Sequence, residues 1–121
     1  MAESKLSIVE RESGDVTILV LTGQILLDDG DLAIRLKVHD LVDRGKLKLV
    51  LDLGGVTYID STGVGMLAAK QKTLLGRGGD LKLLNLTTRG QRVFGIAKLL
   101  LLFETFDDEA MAVKSYGFQS R

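Results

Sequence analysis

Residues 49–67, LVLDLGGVTYIDSTGVGML, set the reading of the whole chain. They begin with Leu49, Val50 and Leu51 in succession, with no polar alternate, as expected of a strand buried on both faces. Gly54 and Gly55 read as a turn. Val56 to Ile59 then runs into Asp60-Ser61-Thr62-Gly63, and beyond it the apolar period changes. Val64, Leu67, Ala68, Gln71, Leu74 and Leu75 fall on one face of a helix, which Gly76, Gly78 and Gly79 stop.

Outward from this strand–helix unit the same two periods alternate. On the N-terminal side, Leu6, Ile8 and Arg11 alternate, Ser13-Gly14-Asp15 turns, and residues 16–21 form an apolar strand, which together predict a hairpin. Residues 23–31 read as a loop with three aspartates, and Ile34, Val38, Leu41 and Val42 mark an amphipathic helix ended by Gly45. On the C-terminal side, residues 81–84 read as a strand, 88–98 as a helix, 101–103 as a strand, and Asp107, Asp108 and Glu109 as the start of a last helix. The order β-β-α-β-α-β-α-β-α predicts the α/β class. Its sheet is mixed and mostly parallel, with an N-terminal β-hairpin and about four covering helices. No repeat, linker or low-complexity tail is visible, so residues 1–121 are expected to form one domain.

Composition narrows the function. With 16 basic and 16 acidic side chains the chain is formally neutral, which argues against nucleic acid as a partner. No cysteine occurs, so thiolate ligands, disulfides and cysteine nucleophiles are excluded. No His cluster or Asp-rich loop of EF-hand spacing is present, and neither a metal nor a cofactor is expected. The N-terminus lacks a signal-peptide apolar region. The longest apolar run, residues 99–103, falls far short of the roughly 20 residues of a membrane helix. A cytoplasmic protein that does not engage the membrane is expected. Residues 99–103 are assigned to the core, with part available as an exposed patch.

The central stretch resembles the STAS domain of bacterial anti-sigma factor antagonists. Asp52-Leu53-Gly54-Gly55 matches that family's Asp-Leu-Ser/Gly-Gly, and residues 60–65 match its Asp-Ser-Ser/Thr-Gly-Leu/Val-Gly. Leu21-Thr22-Gly23, residues 78–85, and Leu102-Phe103 followed by Asp107, Asp108 and Ala110 match further pieces in order. One segment departs: Gly23-Gln24-Ile25-Leu26-Leu27-Asp28 is two residues longer than the family's Gly-x-Leu/Ile-Asp, so Asp28 takes the place of its aspartate across an altered loop.

The resemblance implies a non-enzymatic switch. Ser61 is the implied phosphorylation site. Asp28, Asp60, Ser61, Thr62, Gly63 and Gly65 are the implied partner-binding residues. The implied partners are a serine kinase that doubles as anti-sigma factor and a serine phosphatase. The unphosphorylated form binds the anti-sigma factor and frees the sigma factor; phosphorylation ends the binding. A scaffold STAS protein of a stress-signalling or lipid-transport complex is the alternative within the fold.

Local physics suits such a site. At a helix start the Ser61 oxygen can cap free N–H groups, while Asp60 is a second candidate cap. Small Gly63 and Gly65 would let another backbone approach. A small nucleotide-binding enzyme is the rival, because residues 63–68 fit G-x-G-x-x-A. The acidic residue required at the end of the next strand is missing, since Asn85 stands there. G-x-S-x-G is absent, and the single histidine, His39, lies on the first helix away from its apolar stripe, so hydrolase chemistry has no support.

Overall fold

The computed structural model describes residues 6–25, 29–96 and 98–117. Five strands form one sheet in the order β1-β2-β3-β4-β5: β1 (Leu6–Ser13), β2 (Val16–Ile25), β3 (Lys48–Ile59), β4 (Asp80–Leu84) and β5 (Thr105–Phe106). β1 and β2 pair antiparallel around Gly14, whose φ of 62° suits a glycine, and the remaining neighbours pair parallel. The helices are α1 (Asp29–Asp43), α2 (Ser61–Gly76), α3 (Thr88–Ile96) and α4 (Glu109–Lys114), with one 3-10 turn, η1 (Leu100–Leu102). The expected order and the mixed α/β sheet are both present.

Strand alternation divides the apolar residues between two layers. Leu19, Leu21, Leu49, Leu51, Leu81 and Leu83 face Ile34, Val38 and Leu41 of α1, Val64 and Leu67 of α2, and Phe94 of α3. Val16, Ile18, Val50 and Leu84 face the other way, against Ala112, Val113 and Tyr116 at the C-terminal end. Leu49, Val50 and Leu51 are all fully buried, as a strand covered on both sides requires.

Polar groups fix how these layers meet. Gln71, buried on the apolar face of α2, donates to Asp80 Oδ1 at 2.7 Å and to the Leu102 carbonyl at 2.9 Å. Its own oxygen accepts from Leu81 N. On the opposite face Lys82 is nearly buried. It pairs with Glu104 at 2.6 Å, donates to Ser115 Oγ at 2.8 Å, and lies 4.3 Å from the centre of the Tyr116 ring. A buried ammonium needs such partners to offset its lost hydration. The Tyr116 hydroxyl reaches the Leu49 and Asp80 carbonyls at 2.5 and 2.7 Å, and burial pushes the phenol's pKa up. Arg11 on β1 grips Glu109 at 2.6 Å, and that hydrogen bond holds the Glu109 carboxyl below its ordinary range.

Four local expectations are corrected. Gly54-Gly55 is not a turn: β3 continues through it with a register shift against β2. A Cβ on Gly55 would meet the Leu21 carbonyl at 2.9 Å, so the glycine serves a close strand-to-strand approach. Of the loop expected over residues 23–31, 23–25 belong to β2 and 29–31 to α1. Residues 101–103 are not a strand. The chain turns through Lys98, at φ 61°, into η1, and the fifth strand is only Thr105–Phe106. Leu75, assigned to the apolar face of α2, is half-exposed.

Candidate functional site

β3 delivers the site. Its last residues pair with β2, Gln24 opposite Tyr58 and Ile25 opposite Ile59, and the next residue, Asp60, leaves the sheet in extended conformation to open α2. Asp60 is the N-cap: its Oδ1 accepts from Gly63 N at 2.8 Å. Of the two candidate caps, Asp60 fills the role and Ser61 does not. Ser61 is the first helical residue, exposed, and its hydroxyl has no hydrogen-bond partner among the described residues. Thr62 beside it is also exposed.

The two glycines differ. Gly63 is buried, and an added Cβ would lie 3.0 Å from both Ile25 Cγ2 and Ile59 Cγ1 and 3.2 Å from the Ile25 carbonyl. Its smallness lets α2 sit down on the ends of β2 and β3, which serves the fold rather than an approaching backbone. Gly65 is exposed, with open space where a Cβ would go. Both lie inside α2, whereas a dinucleotide fingerprint needs its first glycines in the turn before the helix. Asp28 lies outside the described residues.

Two neighbours complete the surface. Between α1 and α2 runs a groove of about 400 Å³ lined by Arg35, Thr62, Met66, Ala69 and Lys70, with Leu32 and Leu36 exposed on α1. On the other flank the Arg89 guanidinium lies 5.8 Å from the centre of the Tyr58 ring. Neither grouping is visible in the sequence, because each joins residues from separate elements. The nearest signal is Leu32 and Leu36, four apart on the outer face of α1. Among the described residues, its lining includes the cationic side chains of Arg35 and Lys70.

Chemically, the arrangement presents an unengaged hydroxyl at the positive end of a 16-residue helix whose cap is supplied by another residue. Among the described residues no group of three or more His, Asp and Glu side chains gathers as metal ligands would. No described helix is long and apolar enough to cross a membrane.

The STAS domain profile matches residues 7–112. The chain belongs to the STAS domain family. Solved structures share the fold of this STAS domain. An anti-sigma factor antagonist from Mycobacterium paratuberculosis superposes with TM-score 0.81 at 18% identity, over 94% of this chain and 96% of that one. The Bacillus cell fate determinant SpoIIAA in its phosphorylated form gives 0.71 at 19%, over 92% and 100%. A sulfate transporter family protein from Wolinella succinogenes gives 0.70 at 23%, over 85% of each chain. At such identities the likeness is one of fold, and fold alone does not assign function.

The capping geometry makes a direct prediction. Asp60→Ala should cost about 1 kcal/mol of stability, with Asp60→Asn retaining most of it. Ser61→Ala, which removes no hydrogen bond, should stay within about 0.5 kcal/mol of wild type. Denaturant unfolding of the three variants checks the order.

Proposed function

We propose that this STAS domain is an anti-sigma factor antagonist, a non-enzymatic protein that binds an anti-sigma factor and is switched off by phosphorylation of Ser61. The observation that carries the reading is the division of labour at the α2 N-terminus: Asp60 caps the helix and leaves the exposed Ser61 hydroxyl available. A phosphoryl group there adds about −1.5 to −2 charges at the end of the helix dipole that favours them, so the fold tolerates it. A partner complementary to Lys70 would bring a carboxylate to this edge, and that the phosphate repels. Ser61, Thr62 and Gly65 form the exposed part of the partner surface, and Asp28 is a further partner-binding residue on this reading. Asp60 and Gly63 act by holding the helix start in place. The partners are a serine kinase that is itself the anti-sigma factor and a serine phosphatase that resets the cycle, in the cytoplasm. The phosphorylated form of a protein with this fold supports the reading.

Incubation with the cognate kinase and ATP should add one phosphate to Ser61, and Ser61→Ala should abolish it. Mapping of the phosphate by mass spectrometry to Thr62 or elsewhere would remove the assignment. The same fold in a sulfate transporter family protein favours a second reading, a constitutive binding module in which Ser61 is not switched. Identity of the co-purifying partner, a kinase-fold protein or a transporter subunit, separates the two.

A further inference from the structure

β3 and β4 run parallel, and each leads into a helix on the same face of the sheet, so the first turns of α2 and α3 both rise from its carboxyl edge. Ser61 opens α2, and Arg89 is the second residue of α3. The Arg89 guanidinium lies 5.8 Å from the centre of the Tyr58 ring, and Tyr58 is itself 39% exposed. Tyr58 precedes Ser61 by three residues, so their Cα atoms are at most about 11 Å apart, well inside the footprint of one protein–protein interface. The fold makes little use of Arg89. The side chain is exposed, and among the described residues it has neither an ion pair nor a hydrogen bond. No acidic residue stands in the first turn of α3, and a cation so near a helix start works against the helix dipole. An exposed cation–π contact contributes little stability. What it does is fix the plane of the guanidinium while leaving the N–H edge free.

We propose that Arg89, held on the Tyr58 ring, anchors a carboxylate of the protein partner that binds the Ser61 surface; the inference rests on the antagonist reading above. The free edge of a guanidinium matches a carboxylate with two parallel hydrogen bonds. Stacking on Tyr58 orders the side chain beforehand, so less freedom is lost when the partner docks. Arginine and tyrosine are also among the residues that dominate interface energies. The unphosphorylated form is the one that binds on this reading. A cation with no intramolecular anion in that form is matched to an anion the partner brings. The groove that holds Lys70 lies on one flank of α2 and Arg89 on the other, so the contact would straddle Ser61.

The test is calorimetric titration of the purified anti-sigma kinase with unphosphorylated wild type, Arg89→Gln, Arg89→Lys and Tyr58→Leu, at low and high salt. Arg89→Gln should weaken binding roughly tenfold or more, the loss expected for a charge-assisted pair. Arg89→Lys keeps the charge without the fork and should recover only part of that loss. Tyr58→Leu, which frees the guanidinium, should fall between wild type and Arg89→Gln. Added salt should weaken wild type more steeply than Arg89→Gln, a difference that a purely structural role would not produce. All four proteins should melt within about 3 °C of one another, since only an exposed contact changes. A wild type that binds no kinase removes the antagonist reading and this inference together. A wild type that binds, with Arg89→Gln binding equally well, removes this inference alone. That holds also where phosphorylation then weakens the variant less than wild type, which would make Arg89 a reader of the Ser61 phosphate. Arg89→Lys binding as tightly as wild type overturns the two-pronged pairing.

Discussion

Ser61→Asp is expected to weaken binding to the anti-sigma kinase between tenfold and a hundredfold while leaving stability within about 1 kcal/mol of wild type. The two halves have separate causes. Asp60 keeps its hydrogen bond to Gly63 N, and the new carboxylate at the first helical position lies at the favourable end of the dipole, so folding has nothing to lose. Binding does lose. A unit charge facing a partner carboxylate at ~5 Å with an effective dielectric constant of ~20 is repelled by roughly 3 kcal/mol, an upper limit near a hundredfold. Aspartate carries less charge than phosphoserine and should reproduce only part of the phosphate's effect. Isothermal titration beside thermal unfolding reads both quantities on one sample.

Gly63→Val is expected to destabilise the fold by on the order of 3 kcal/mol, whereas Gly65→Val should be nearly neutral. At Gly63 even the first carbon meets Ile25 and Ile59 at 3.0 Å, and the Ile25 carbonyl at 3.2 Å limits any shift of the helix. A branched side chain must therefore lift the first turn of α2 from the sheet or push apart two buried isoleucines. At Gly65 nothing lies within 4 Å of the added carbon. The pair also separates explanations of the glycine spacing. If the two glycines cradled a cofactor, Gly65→Val would abolish nucleotide binding by the wild-type protein; on the present account wild type binds no nucleotide and only Gly63→Val affects the fold. Urea unfolding of both variants, with a nucleotide titration of wild type, decides.

The element order was legible because hydrophobic period changes cleanly at each strand–helix junction: three consecutive buried residues at 49–51, then the four-residue recurrence of Ile34, Val38 and Val42 or of Val64 and Ala68. Period says less about direction within an unbroken apolar run. Within the apolar run 99–103, residues 101–103 read as a strand. The chain instead sends Phe103 inward to meet Phe94 edge-on at 5.6 Å and leaves Leu101 in solvent. The left-handed turn at Lys98 that causes this has no residue signature, since lysine rarely adopts it. Gly54-Gly55 was misread for a related reason. Paired glycines mark a turn or a close approach equally well, and only the Leu21 carbonyl beside Gly55 distinguishes them.

At the site, the motif located the junction but left the cap open between Asp60 and Ser61, two adjacent residues that both cap well. Backbone conformation settles it in favour of Asp60. The groove between α1 and α2 was not legible at all. Arg35 and Lys70 are 35 positions apart, and only the packing of both helices on one face of the sheet brings them to one groove.

The most direct test of the switch is calorimetric titration of the kinase with wild-type protein before and after stoichiometric phosphorylation, with the melting temperature of each form recorded. The account predicts that the unphosphorylated form binds, that the Ser61 phosphoform binds at least a hundredfold more weakly, and that both melt alike. Equal affinity of the two forms, or a phosphoform whose weaker binding tracks a marked loss of melting temperature, would contradict it.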